Sequence, residues 1–153
     1  MSPRKQVGMT PEERRAFLRA ANTVILSTID HHGYPHSVAM WHEMDGDVVV
    51  MTTFGKSQKA VNIHRNPKVA VLAESGKVYD QLKGVLIRGR AEIISDADAC
   101  AAFLLHSHEK MAGGPLAVEA QEVLRAQARK RVLIRVTPER VSTWDHTKLG
   151  GAY

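Results

Sequence analysis

Short apolar, β-branched runs recur along this chain, each closed by turn residues, and helical patterns fill only the gaps between them. Thr23–Ile29 is one such run, and Asp30-His31-His32-Gly33 after it has the composition of a turn, which predicts a hairpin. Pro35 opens the next run. Over residues 36–43 the side chains alternate, with His36, Val38, Met40 and His42 on one face and Ser37, Ala39, Trp41 and Glu43 on the other, as a single strand requires. Asp45-Gly46 predicts a tight turn into a third strand over residues 47–53. Further strands are expected from Pro67 to about residue 74, over 84–94, over 132–136, and after a turn at Pro138-Glu139 over 140–144. Gly89 inside the long strand predicts a bulge or a close backbone approach, the kind of bend a closing barrel needs.

Helical signals are fewer. Thr10-Pro11-Glu12-Glu13 supplies an N-cap, a proline at the first helical position and a glutamate at the third, which predicts a helix to about residue 21 with Phe17 and Leu18 on its apolar face. Ser57 caps a short helix that Asn66-Pro67 ends, because the residue before proline leaves the helical region. Ser95-Asp96-Ala97-Asp98 starts another, to about residue 110, with Cys100, Phe103 and Leu104 as its buried stripe. Gly113-Gly114-Pro115 breaks it, and residues 116–128 read as one more. Residues 1–9 have no period and are expected to be a loose tail, leaving 10–153 as one domain. Residues 144–153 lack a period too and are expected to be disordered or laid over another part of the fold.

A chain of 153 residues with 44% hydrophobic content supports one core and no second domain. It has no run of about 18 apolar residues and no signal-peptide pattern, so no membrane span is expected and the cytoplasm is the expected compartment. The single cysteine, Cys100, sits among alanines and reads as a small buried residue. A net charge of +5 asks for an anionic partner. Nucleic acid is not expected, because the basic residues are spread out and no recognition-helix, zinc-knuckle or paired-aromatic pattern accompanies them. Arg129-Lys130-Arg131, at a predicted helix-to-strand junction, reads as a solvated helix end.

Eight histidines raise the question of a metal. His106 and His108 would face different ways on a helix, His31-His32 has no acid pair nearby, and His36 and His42 lie about 20 Å apart along a strand, so no metal site is expected. There is also no nucleophile elbow, paired-cysteine motif or P-loop. Chemistry gathers in one place, residues 52–67, where Thr52 and Thr53 end a strand and Ser57 starts a helix between Lys56 and Lys59. Free amides and two cations at a helix start favour an anion. Beside an apolar strand, such a cradle suits a cofactor with a phosphate at one end and flat rings at the other, which supplies the organic chemistry itself.

Thr53, Ser57, Lys59, Ala60, Asn66 and Pro67, followed by Val69-Ala70-Val71-Leu72, resemble the flavin-phosphate segment of the pyridoxamine-phosphate-oxidase-like split barrels. Thr28, Gly33 and Pro35 match the opening of that family's second strand, and Gly89 and Ala91 match its small residues in the long strand. The resemblance implies a mainly β fold with flanking helices, a split β-barrel of six to seven antiparallel strands. It also implies a homodimer with the cofactor site between two chains and a flavin ring along Pro35, His36, Ser37, Val38, Met40 and Trp41. The phosphate would lie against Thr52, Thr53, Lys56, Ser57 and Lys59.

Oxidases that make pyridoxal phosphate place arginine where this chain has Gln58 and carry an arginine-rich motif near the C-terminus, where this chain has Lys148 alone. The ending Trp144-Asp145-His146-Thr147-Lys148-Leu149-Gly150-Gly151, with Asn62-Ile63-His64-Arg65-Asn66-Pro67, is more similar to actinobacterial, including mycobacterial, members that use the deazaflavin coenzyme F420. That likeness implies hydride transfer from the reduced coenzyme to an enone or unsaturated ring, with FMN as the alternative coenzyme and a non-catalytic flavin or haem binder as a further alternative. Trp144 and Lys148 would then help to close a cofactor site, in their own chain or the partner's. Arg65 would join the phosphate, and Arg4 and Lys5 would meet the coenzyme's glutamate tail. His36, His42, Tyr79 and His146 are the proton donors that residue type suggests.

Overall fold

The computed structural model describes residues 6–150. Its strands are β1 (Thr23–Ile29), β2 (Pro35–Trp41), β3 (Glu43–Asp45), β4 (Val48–Phe54), β5 (Lys68–Ser75), β6 (Lys83–Ile94) and β7 (Arg131–Asp145). They form one antiparallel sheet in the order β2-β1-β5-β6-β7-β4-β3. Four helices flank it: α1 (Pro11–Ala20), α2 (Gln58–Arg65), α3 (Ala97–Ala112) and α4 (Val118–Ala128). The curled sheet with its helices is the mainly β, split-barrel architecture expected of this sequence.

The expected single strand over residues 36–43 is in fact two. His42 separates β2 from β3, and these consecutive strands lie at opposite edges of the sheet, so the chain crosses the opening of the barrel in one residue. His42 is 6% exposed and its Nε2 lies 2.7 Å from the Leu18 carbonyl of α1, which fixes the corner. A period-two pattern cannot reveal such a corner, because the alternation runs through it unbroken. The expected turn at Pro138-Glu139 is also absent. β7 passes through as one 15-residue strand, and Glu139 is the unpaired residue of a bulge, with Arg88 opposite Arg140 and Gly89 opposite Pro138. Proline is tolerated at a bulge because the ladder is already interrupted there. Gly89 meets the expectation made of it: a Cβ there would lie 2.2 Å from the Thr137 carbonyl oxygen.

Two apolar cores lie on the two sides of the sheet. Inside the barrel, Val24, Leu26, Met51, Val71, Val85, Ile87, Ile134 and Val136 pack with Leu18 of α1 and Ile63 of α2. On the outer side, Val50 and Leu133 pack against Cys100, Phe103 and Leu104 of α3 and Leu124 and Ala128 of α4. β4 is therefore covered on both faces, which explains its unbroken apolar run.

Part of each expected tail is packed. Val7 is buried, its carbonyl accepts from the Asp145 amide at 2.7 Å, and the Met9 amide donates to Thr143 Oγ1 at 2.9 Å. After β7 a short 3-10 turn, His146–Leu149, places the His146 ring 4.6 Å from the Tyr79 ring. Arg4 and Lys5 lie outside the described residues, as do Gly151, Ala152 and Tyr153. Among the described residues no helix is long and apolar enough to cross a membrane.

Candidate functional site

The end of β4 and the start of α2 form the candidate anion-binding end of the site. Ser57 is the N-cap of α2, its Oγ accepting from the Ala60 amide at 3.4 Å and from Thr53 Oγ1 at 3.1 Å. Lys59 Nζ donates to Thr53 Oγ1 at 3.1 Å, which turns its ammonium back toward the strand. Lys56 is exposed at the loop.

Asn62, fully buried, holds α2 in place. It donates to Thr28 Oγ1 on β1 at 3.0 Å, and its Oδ1 accepts from Gln58 Nε2 at 2.7 Å and from Arg65 Nη2 at 3.2 Å. Arg65 also donates to the Ile29 carbonyl at 2.6 Å. It therefore sits at the opposite end of α2 from Ser57 as a structural tie, and does not face the anionic end as the sequence suggested.

A cleft of about 470 Å³ opens beside Lys59, at the gap between β2 and β4 under α3 and α4. Its apolar wall comes from Met40 and Trp41 of β2, Phe54 of β4, and Phe103 and Leu104 of α3, and its polar groups are Thr52, Thr53, Lys59, His108, Gln127 and Arg131. Neither aspartate nor glutamate lines it. Thr52 Oγ1 donates to the Val132 carbonyl at 3.0 Å, and Thr52 also bonds the thiol of Cys100, whose ionisation burial pushes up.

Arg131 was the residue least visible in the sequence. It stands directly across from Phe54 on β7, with its guanidinium carbon 4.4 Å from the Phe54 ring centroid, a cation–π contact. The Lys130 carbonyl accepts from the Gly55 amide at 3.0 Å, which joins the end of α4 to the β4–α2 loop. The basic triplet is thus not simply a solvated helix end: its last member lines the cleft. Burial first, and the charge of Arg131 second, hold the Lys59 ammonium below the usual lysine range.

Of the residues singled out from the sequence, Met40, Trp41, Thr52, Thr53 and Lys59 line this cleft together, and Ser57 bonds to one of them. Pro35, Ser37, His36 and Val38 lie further back along β2. Ser37 Oγ is 2.8 Å from Ser27 Oγ, His36 and Val38 are half-buried, and Pro35 borders a separate groove with Ile29, Val69 and Ala70. Trp144 and Lys148 sit at the far end of β7 from Arg131. Trp144 packs its ring over Gly84, and Lys148 is held by Glu13 at 2.6 Å and the Gly8 carbonyl at 2.8 Å. One chain therefore does not bring these two to Lys59.

None of the four proton donors suggested by residue type lines the cleft. His108 does, and it continues the stripe of Cys100 and Leu104 at a spacing of four, a helical signal present in the sequence. Its Nδ1 lies 2.8 Å from the Leu104 carbonyl, and its ring meets Trp41 edge-on at 5.3 Å. Among the described residues no group of three or more metal-ligating side chains comes together.

The model for the pyridoxamine 5'-phosphate oxidase family matches residues 10–145. Among solved structures, the conserved hypothetical protein Rv2991 from Mycobacterium tuberculosis is 35% identical with a TM-score of 0.88, over 98% of this chain and 93% of that one. A structure described as an F420 reductase is 30% identical with a TM-score of 0.67, over 84% of this chain and 94% of that one. The heme storage protein HutZ from Vibrio cholerae, at 17% identity and a TM-score of 0.65 over 88% of this chain and 92% of that one, shares the fold alone. No curated protein matches. The family model over residues 10–145 and the 35% identity to Rv2991 lead to one conclusion: the chain belongs to the pyridoxamine 5'-phosphate oxidase family.

Proposed function

We propose that this protein binds coenzyme F420 in the cleft beside Lys59 and is a reductase for electrophilic organic substrates such as enones or unsaturated rings. The observation that carries the reading is the cleft itself, which has cations at one end, apolar walls at the other and no acidic residue in its lining. Support for F420 also comes from the likeness to an F420 reductase over most of both chains. FMN in the same cleft is the second reading, because a helix start with a lysine serves either phosphate.

The residues present fit such a group. Lys59 and the Ser57 cap would hold its phosphate, and Met40, Trp41, Phe103 and Leu104 would exclude water from its rings. When bound, the reduced coenzyme supplies hydride chemistry. The chain's part is to orient the substrate and to deliver a proton. Nδ1 of His108 is engaged by the Leu104 carbonyl, so its Nε2 is the atom left to exchange a proton in the cleft. A homodimer belongs to the same proposal. The groove of about 730 Å³ around Ile29, Pro35, Val69 and Ala70 offers an apolar face for a second copy.

The test is binding of purified F420 and FMN, followed by their distinct visible spectra, and turnover of reduced F420 with a panel of enones. Lys59→Ala is expected to weaken coenzyme binding by about 1.5–3 kcal/mol, roughly 10- to 150-fold, the size of one charged hydrogen bond. An affinity equal to wild type would remove Lys59 from the site. A haem spectrum in the purified protein, with no uptake of either flavin, would overturn the reductase reading.

A further inference from the structure

Several acids of this protein pair with cations away from the cleft. Asp47 holds Arg14 and Arg15, Asp145 holds Lys83, Glu139 holds Arg90, Asp45 holds Arg135 and Glu13 holds Lys148. The two cations of the cleft have no such partner. Among the described residues Lys59 is bonded only to a neutral hydroxyl, and nothing accepts from the guanidinium of Arg131, whose Nε is shut away from water with no acceptor. Leaving a charged donor shielded and unpaired is costly, and two like charges in one half-buried cleft add to the cost. The Phe54 ring, 4.4 Å from the guanidinium carbon, offsets part of that cost through a cation–π contact.

Position 58 sharpens the point. Gln58, the neighbour of Lys59, is uncharged, and its side chain is turned back onto Asn62. The second cation of the cleft comes from β7, directly across from Phe54.

We propose that Arg131 completes a clamp with Lys59 that selects a doubly charged anionic end over a singly charged one. The clamp takes either a phosphomonoester dianion or a phosphodiester with a carboxylate close behind it. This rests on the cofactor reading above and adds the charge of the ligand that the cleft prefers. A guanidinium presents paired donors to two oxygens of one phosphate or to an adjacent carboxylate, while the ammonium of Lys59 acts as a point charge, so the two are not redundant.

The experiment uses the full chain without coenzyme and a matched pair of probes, methyl phosphate at a pH where it is a dianion and dimethyl phosphate as the monoanion. Binding is followed by amide shifts of Ser57, Gln58 and Lys59. Wild type is expected to prefer methyl phosphate by about tenfold or more. Arg131→Gln is expected to abolish that preference while its melting temperature stays at the wild-type value, and Lys59→Gln to weaken both probes. A second measurement needs no variant: methyl phosphate, and not dimethyl phosphate, is expected to protect Arg131 from phenylglyoxal, read by peptide mass spectrometry. If Arg131→Gln binds methyl phosphate as wild type does, or Arg131 is not protected, the clamp is refuted while the cofactor reading stands on Lys59. If wild type binds neither methyl phosphate nor F420 nor FMN, both fall.

Discussion

Replacing Asn62 by alanine tests whether the proposed anion site is held from beneath. The amide is fully buried and carries three hydrogen bonds: to Thr28 Oγ1 at 3.0 Å, from Gln58 Nε2 at 2.7 Å and from Arg65 Nη2 at 3.2 Å. Gln58 and Arg65 can turn to water, so losing those two bonds costs little. Thr28 cannot, being fully buried, with only a long 3.5 Å bond to the His36 carbonyl in reserve. Loss of that bond and the void left by the amide together give about 2–4 kcal/mol. For a domain of this size that lowers the melting temperature by about 4–16 °C. Urea unfolding followed by circular dichroism measures the loss, and Thr28→Val with the double variant isolates the pair, whose coupling should be about 1 kcal/mol. Because α2 carries Ser57 and Lys59, Asn62→Ala should also weaken methyl phosphate binding. A variant that melts within a degree or two of wild type would refute the reasoning, since the polar cluster would then be incidental to the packing of α2 on β1.

Burial holds His42 below its ordinary value of 6.5, against an opposing bond to the Leu18 carbonyl. The folded state thus favours the neutral ring. His42 contributes stability that is complete above the unfolded value and is lost as pH falls from there toward the folded one. His42→Gln should flatten that acid limb in urea midpoints taken across the range, and an unchanged limb would assign it to other groups. A Cβ at Gly84 would lie 2.0 Å from the Trp144 ring, so Gly84→Ala should cost about 1–3 kcal/mol and recover with Trp144→Leu, measured by thermal melting. Gly89→Ala, which meets the backbone carbonyl of Thr137, should cost more and find no side-chain rescue.

Much of the fold was legible because local signals and tertiary structure agree. The Thr10 capping box and the Ser57 cap are both made, and Asp96 caps α3 as its pattern suggested. Gly89 bends the long strand where a close approach demands it. The corner at His42 and the place of Arg131 were missed for one cause: they concern which edge or strand a residue reaches, which no short window contains. The alternation of residues 36–43 is real, yet it hides a corner at His42 that sends β2 and β3 to opposite edges. In the site, Lys59 and the two threonines were visible because they sit within one stretch. Arg131 was not, since its place beside Phe54 depends on β7 pairing with β4 from 77 residues away in sequence. His108 could have been found by extending the α3 stripe one more turn.

The corner at His42 bears on how the cleft behaves. β2 and β4 flank the opening without a ladder of backbone bonds between them, so the space between Trp41 and Phe54 is bounded only by side chains. Widening it displaces packed rings and methyls but breaks no strand pairing. The Lys59 end, by contrast, is anchored through Asn62 to a buried strand. One end of the pocket is stiff and the other compliant, a division of labour that, under the function proposed above, would let a single grip on the coenzyme serve substrates of differing girth.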